Sequence, residues 1–363
     1  MRGILFHFKK LDWILIISAI LLVGMGLLSI YSSSLGKGDF LNFKKQVIFS
    51  GIGFFLMIIL SFFDWREFRE SPYLVLILYL LSLFSLAGLF FFAPEIRGVK
   101  SWYKVGPISI DPIEFTKIVL IILLAKYFSK RHIEMYQVRH ILLSGAYVFL
   151  PAILIFLQPD LGSVLILIAV WVGVLLISGI KLRHFLILIL CFLLIFILSW
   201  NFVLRDYQKA RIISFFTPGI EPLGVSWSQN QAKIAVGAGG LFGQGLGSGS
   251  QTQYGFLPEP QTDFIFSAMA EEMGLVGISV LFLLFSILLW RITKIAILSR
   301  NNFSRLFASG FAILLISQIF ISIGMNLGLL PIIGIPLPLI SYGGSSLLAT
   351  CIGLGILQSI KSQ

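Results

Sequence analysis

Charged side chains are scarce in this chain. Only 12% of its 363 residues are Asp, Glu, Lys or Arg, against 58% hydrophobic, and the mean hydropathy is +0.98. No soluble domain of this size needs so much apolar surface, so the scarcity excludes a soluble globular protein and points to an integral membrane protein. Acids are the rarer sign, 16 against 27 Lys and Arg, for a net charge of +11. In a soluble chain that excess would suggest nucleic acid. Here it fits positive cytoplasmic loops, with an anionic substrate outside as a second contributor. There are two cysteines, Cys191 and Cys351, both in apolar runs, and neither has a Cys or His at metal-ligand spacing. That excludes a disulfide framework and a zinc site. Period-2 alternation is absent, which argues against a membrane β-barrel. The N-terminus, MRGILFHFKK, leads into an apolar run with no small-residue cleavage pattern, so a retained first helix is expected.

What remains is long apolar runs. A spanning helix needs about 20 apolar residues. Ten stretches meet or approach that length: 11–31, 46–63, 72–92, 112–128, 141–157, 161–177, 185–203, 264–290, 306–330 and 345–360. The expectation is an all-α polytopic membrane protein, one integral domain over residues 1–363. It has ten transmembrane helices and a large extracytoplasmic loop, about 204–261, between helices 7 and 8. With the N-terminus inside, 16 Lys and Arg fall in inside segments and 6 in short outside loops. The bias puts both termini in the cytoplasm. Lys44 and Lys45 run against it, so the first loop is the weakest part of the assignment.

Four stretches carry chemistry. The first is GFLPEPQTDFIFSAMAEEMG, 255–274, which joins a polar, glycine-rich segment to an apolar one. Asp263 sits at the join, behind Pro258 and Pro260, which stiffen the approach. An acid at a membrane edge is costly unless used, yet Thr262 or Asp263 could equally cap the following helix. The second is DPIEFTK, where Glu114 and Lys117 are spaced i, i+3 and share a helix face inside a span. A structural ion pair and a functional pair beside a cavity are both open readings. The loop before it, RGVKSWYKVG, mixes Arg97, Lys100 and Lys104 with Trp102 and Tyr103, suiting an anionic headgroup or an ordinary interfacial belt. The third is QPDLGS, where Asp160 could cap the next helix through Ser163. The fourth is PIIGIPLPLISYGGSS, 331–346, whose prolines and glycines break a helix at membrane depth. Such backbone is tolerated only when buried in protein or lining a cavity.

Within the long loop, GAGGLFGQGLGSGS fits neither a dinucleotide fingerprint nor a P-loop, because the spacing fails and no GK[ST] follows. Its glycines permit tight turns and close approach of a ligand, or a flexible surface loop. Before it, RDYQKARIISFFTP alternates cations with apolar residues like an interfacial amphipathic helix. All four chemical stretches fall on the outer side of the membrane in this topology. That suggests one outward-facing cavity lined by Arg97, Lys117, Asp160 and Asp263.

Taken in order, DPIEFTK, QPDLGS, GAGGLFGQGLG, FLPEPQTDFIF, EEMG and PLPLISYGGSS resemble the SEDS family (shape, elongation, division and sporulation proteins) across essentially the whole chain. QTQYGFLPEPQTDF and the short N-terminal tail are closer to its cell-elongation branch than to its division branch. The resemblance implies a ten-helix peptidoglycan glycosyltransferase in the bacterial cytoplasmic membrane. It would polymerise lipid II at the outer face, paired with a class B penicillin-binding protein that crosslinks. It implies Asp263 as the essential aspartate and Glu114 with Lys117 as the intramembrane acid–base pair. Asp160 is then the outer aspartate, with Arg97, Gln231 and Lys233 in support. Asp111 and Ile333 depart from the usual family pattern, which puts a polar role at those positions in doubt.

The residues support that chemistry. The acceptor's 4-hydroxyl attacks an anomeric carbon whose leaving group is pyrophosphate, so one general base suffices, and Asp263 is the candidate. Lys117, Arg97 or a divalent cation such as Mg²⁺ or Mn²⁺ could neutralise the leaving group. No metal-ligand set is apparent, so a metal would rely on Asp263 or on substrate phosphate. The alternatives are a flippase for the same lipid and a non-catalytic scaffold of the cell-wall machinery. The lack of an internal repeat and an acid at one face, not the midplane, count against the flippase. A single-span partner helix is expected on the outward faces of the eighth and ninth spans, with Gly274 and Gly277 as small-residue contacts.

Overall fold

Three long helices begin where the sequence supplies an aspartate to cap them. The structure, a computed structural model, describes residues 7–65, 70–94, 101–106, 108–130, 138–202, 204, 208–210, 213, 215 and 225–362. Asp12 opens α1 (Trp13–Lys37) by accepting from the Leu15 N–H at 3.2 Å. After α2 (Leu41–Ser61) and α3 (Pro72–Phe92), a small antiparallel hairpin pairs β1 (Tyr103–Val105) with β2 (Ile108–Ile110). Asp111 then caps α4 (Pro112–Ser129) through the Ile113 N–H at 2.9 Å, with Pro112 in the first turn, where its missing N–H costs nothing. After α5 (Val138–Leu157), Asp160 caps α6 (Leu161–Ile177) through the Ser163 N–H at 3.0 Å.

The chain continues through α7 (Leu182–Phe202), α8 (Val225–Ala238), the single turn α9 (Ser250–Gln253), α10 (Ile265–Leu298), α11 (Asn302–Asn326) and α12 (Gly344–Ser362). Among the described residues, seven helices are long and apolar enough to cross a membrane: α1, α2, α3, α5, α7, α10 and α11. The other three expected regions are also helical. However, α6 has 17 residues, α4 carries Glu114, Lys117 and Lys126, and α12 is rich in Ser, Thr and Gln. Arg97 and most of RDYQKARIISFFTP lie outside the described residues.

α12 lies along α2, α10 along α1 and α11, and α11 covers α4 and α6. Phe128, Trp171, Phe307 and Phe311 fill the centre. At the end away from Asp263, three helices are tied by one buried carboxylate. Arg291 of α10 forks onto Asp12 at 2.5–3.0 Å, and Lys361 of α12 adds a 3.4 Å contact. The Gln358 amide bridges the Asp12 N–H and carbonyl at 2.7 and 3.1 Å.

Two helices are interrupted, and in each the freed backbone groups are taken up elsewhere. Pro151 in α5 cannot donate to the Tyr147 carbonyl; the Tyr79 hydroxyl donates to it instead, at 2.9 Å. In α10 the interruption is Gly274, at φ 65° and ψ −166°. Unbroken, α10's 34 residues would run about 51 Å, well beyond a bilayer core. The break leaves the Glu271 and Glu272 carbonyls and the Leu275 and Val276 N–H groups without partners inside the helix. The glycine-rich segment supplies all four. Gln244 and Gly245 donate to Glu271 and Glu272 at 2.9 and 3.1 Å, and Gly240 and Leu241 accept from Leu275 and Val276 at 2.9 and 3.1 Å.

This splice requires backbone against backbone. A Cβ on Gly239 would lie 1.9 Å from the Ala270 carbonyl oxygen, and one on Gly243 2.1 Å from that of Glu272. The close approach anticipated for a ligand is therefore to the protein's own broken helix. It also removes Gly274 from partner contact, since a Cβ there would strike the Gly243 nitrogen at 2.2 Å; Gly277 faces its own Met273.

Gly239→Ala should therefore destabilise the protein by about 3 kcal/mol, the upper range for overpacking. Gly237→Ala, in helix with nothing within 4 Å of the added carbon, should be neutral or stabilising by up to about 1 kcal/mol. Thermal unfolding of the detergent-solubilised variants checks the pair, and equal midpoints would refute the splice.

Candidate active site

Asp263 sits on a stretch of backbone that is pinned at each residue. The Gln261 carbonyl accepts from the Tyr342 N–H at 2.8 Å, and the Thr262 carbonyl from the Ser341 hydroxyl at 2.7 Å. The Asp263 carbonyl accepts from the Asn326 side-chain amide at 2.8 Å. On the other side, the Thr262 and Phe264 N–H groups donate to the Glu259 carbonyl at 3.2 and 3.3 Å. Asp263 is half-buried, and its carboxyl adjoins Gly334, where an added Cβ would lie 3.5 Å from Oδ2. Gly334 has φ +80°, a conformation that suits glycine, so the strap can pass beside the carboxylate without a side chain.

That strap, residues 331–343, joins the sequence-nominated acids. Ile333 and Ile335 pack against Gly162, two residues after Asp160. Gly334 borders Asp263, Ser341 and Tyr342 hold its flank, and Ser345 just beyond accepts from the Asp111 N–H at 2.9 Å. Glu114, Lys117 and Asp160 all lie within electrostatic reach of Asp111. Burial, then the negative charges of Glu114 and Asp160, pushes the Asp111 carboxyl above the ordinary range. Lys117 donates to Glu114 at 2.7 Å; the lysine is 1% exposed and the glutamate 8%.

The support residues sit on α8. Gln231 is partly buried, and the aliphatic stem of Lys233 lies against Gly328. Gln229 donates to the Leu330 carbonyl, just before the strap, at 2.9 Å. Sequence reasoning passed over Gln229 and several others. Glu271, fully buried, accepts from the Gln251 and Thr252 N–H groups and the Ser250 and Thr252 hydroxyls at 2.6–3.3 Å, fixing α9. Glu272 accepts from Ser32 at 2.6 Å and Gln253 at 3.0 Å. Ser34, Asn42 and Gln46, from the α1–α2 hairpin, bond Gln261, Ser341 and Gly343 at 2.8–3.2 Å. The signal was there: polar residues inside runs otherwise apolar, which are buried only when bonded.

Among the described residues, no three His, Cys, Asp or Glu side chains converge on a point that could hold a metal. Asp263 is a single carboxylate. A cavity of about 600 Å³ opens at the far end of the bundle, lined by Glu70, Ser129, Lys130, Arg300, Asn301, Asn302 and Phe303. It contains none of the sequence-nominated residues.

The sequence model of the cell cycle protein family FtsW/RodA/SpoVE matches residues 12–363. Stage V sporulation protein E of Bacillus subtilis is 36% identical over 362 residues, covering 96% of each chain. The peptidoglycan glycosyltransferase MrdB of Escherichia coli is 34% identical over 312 residues, covering 86% of this chain and 83% of that one. A chain from a peptidoglycan synthase complex, solved for the coordination of polymerization and crosslinking, superposes with a TM-score of 0.83 at 31% identity, covering 97% of both. The rod shape determining protein RodA of Thermus thermophilus gives 0.72 at 29%, covering 97% and 96%. The chain belongs to the FtsW/RodA/SpoVE family, the SEDS family that its motifs resemble, and is a membrane protein.

Breaking a buried pair leaves one charge uncompensated, at about 3–5 kcal/mol. Lys117→Ala and Glu114→Ala should each lose that order of stability, and the double variant should lose far less than the sum. Purely additive losses in unfolding would show that the two side chains are not coupled.

Proposed function

We propose that the chain is a peptidoglycan glycosyltransferase of the cell-elongation type that polymerises lipid II at the outer face of the bacterial cytoplasmic membrane. Its relatives support this: one bears the name peptidoglycan glycosyltransferase, and a structural neighbour comes from a peptidoglycan synthase complex. In this reading the whole chain is one membrane domain of ten spans. Both termini are cytoplasmic, and the Asp263 end, with the segment before it, faces outward. A class B penicillin-binding protein is the partner that crosslinks the product.

The observation that carries the catalytic assignment is the pinned backbone under the half-buried Asp263. A general base must be held within hydrogen-bond reach of the proton it takes, and a fixed main chain holds it there. Asp263 accepts the proton of the acceptor's 4-hydroxyl. The freed oxygen attacks the anomeric carbon, inverting it, and the lipid pyrophosphate departs. Lys117, paired with Glu114 at 2.7 Å, and Arg97 supply positive charge for that leaving group, with Asp160, Gln231 and Lys233 shaping the approach.

Asn preserves the size of Asp but cannot take a proton. Asp263→Asn should therefore insert, fold and bind its partner while polymerisation slows by roughly 10²–10⁴. Full activity of that variant would refute Asp263 as the general base. For the topology, Tyr254→Cys, at a position 79% exposed, should react with an impermeant thiol reagent on intact cells. Labelling only after lysis would reverse the orientation.

A further inference from the structure

α10 starts without a cap of its own. Its N-cap residue, Phe264, has no side chain able to accept from the first-turn N–H groups. The missing acceptor comes from another helix. Asn326, the last residue of α11 and fully buried, accepts from the Ser267 N–H at 3.1 Å and the Ser267 hydroxyl at 2.8 Å through Oδ1. Its Nδ2 donates to the Asp263 carbonyl at 2.8 Å and the Ser322 carbonyl at 2.8 Å. An asparagine amide has two donors and two acceptor sites, and all four are in use. The orientation is fixed by chemistry, because a flipped amide would face two carbonyls with an oxygen and an N–H with a nitrogen.

In an uninterrupted helix the Ser267 N–H would donate directly to the Asp263 carbonyl, four residues back. Here the Asn326 amide stands between them and bonds to each. Asp263 is thereby kept outside the helix, with its carbonyl aimed at α11 and its carboxyl beside Gly334. From this inserted amide we infer that Asn326 is a positioning residue for Asp263: it caps α10 from outside and fixes the main chain from which the carboxylate projects. The inference rests on Asp263 being the general base of the proposed polymerase. It adds a residue on a different helix, 63 positions away, as the source of that carboxylate's orientation.

The test is Asn326→Leu, which preserves bulk and burial but removes all four bonds, with Ser267→Ala as a milder second variant that removes only one. Two measurements are made on the solubilised full chain. Polymerisation of lipid II should show kcat lowered on the order of 10- to 100-fold with KM within about twofold, the pattern of a misplaced catalytic group. Ser267→Ala should fall between the parent and Asn326→Leu. Hydrogen exchange of the peptide covering 261–267 should be faster in Asn326→Leu, because its carbonyl clamp has lost a member. A merely structural asparagine would lower the yield of folded protein and leave kcat per folded molecule unchanged. Unchanged kcat, or unchanged exchange, overturns the inference. If the unsubstituted protein makes no polymer, the polymerase reading fails, and the exchange measurement still decides whether Asn326 holds Asp263.

Discussion

A backbone N–H or C=O left open inside a membrane costs several kcal/mol, because no water is there to take its place. This chain interrupts its helices near the candidate site and must answer that cost at each interruption. At Gly274 the four freed groups pass to the glycine-rich segment. At the start of α10 the Asn326 amide is inserted into the first turn. At Pro151 a tyrosine hydroxyl serves. Each answer ties together segments far apart in sequence, and the Asn326 tie bonds the Asp263 carbonyl directly.

One consequence is that rigidity and chemistry share the same residues. The strap of 331–343 touches the Asp160 turn and the Asp263 carboxyl, and Ser345, just beyond it, bonds the Asp111 N–H. Its irregular path is bonded at both ends, so the acids are held in a common frame although they come from three helix starts. Glu271 and Glu272 extend that frame: buried carboxylates at the kink organise α9 and the end of α1. An apolar substitute at either would strand several donors.

Much of the fold was legible because it depends on local rules. Apolar runs marked where the ten long helices lie, and Asp160 caps α6 through Ser163 as its position suggested. The i, i+3 spacing of Glu114 and Lys117 placed them on one face, and they pair at 2.7 Å. The rest was not legible because it depends on distant partners. Nothing near Gly239 or Gly243 says that their neighbour is the backbone of residues 270–272. Asn326 ends an ordinary-looking apolar helix, and three of its four bonds reach the start of another. Gly274 reads as a small residue on a span face; the helix break that uses it appears only in three dimensions.

In the proposed reading this frame serves a polymerase and not a carrier or a scaffold. The most direct measurement gives the purified full chain lipid II in detergent, with no transpeptidase present, and resolves the products on a gel. Glycan strands longer than the substrate, absent when Asp263 is replaced by Asn, are the predicted result. Intact lipid II as the sole species, with a protein that moves the same lipid across vesicle membranes, would rule out a polymerase.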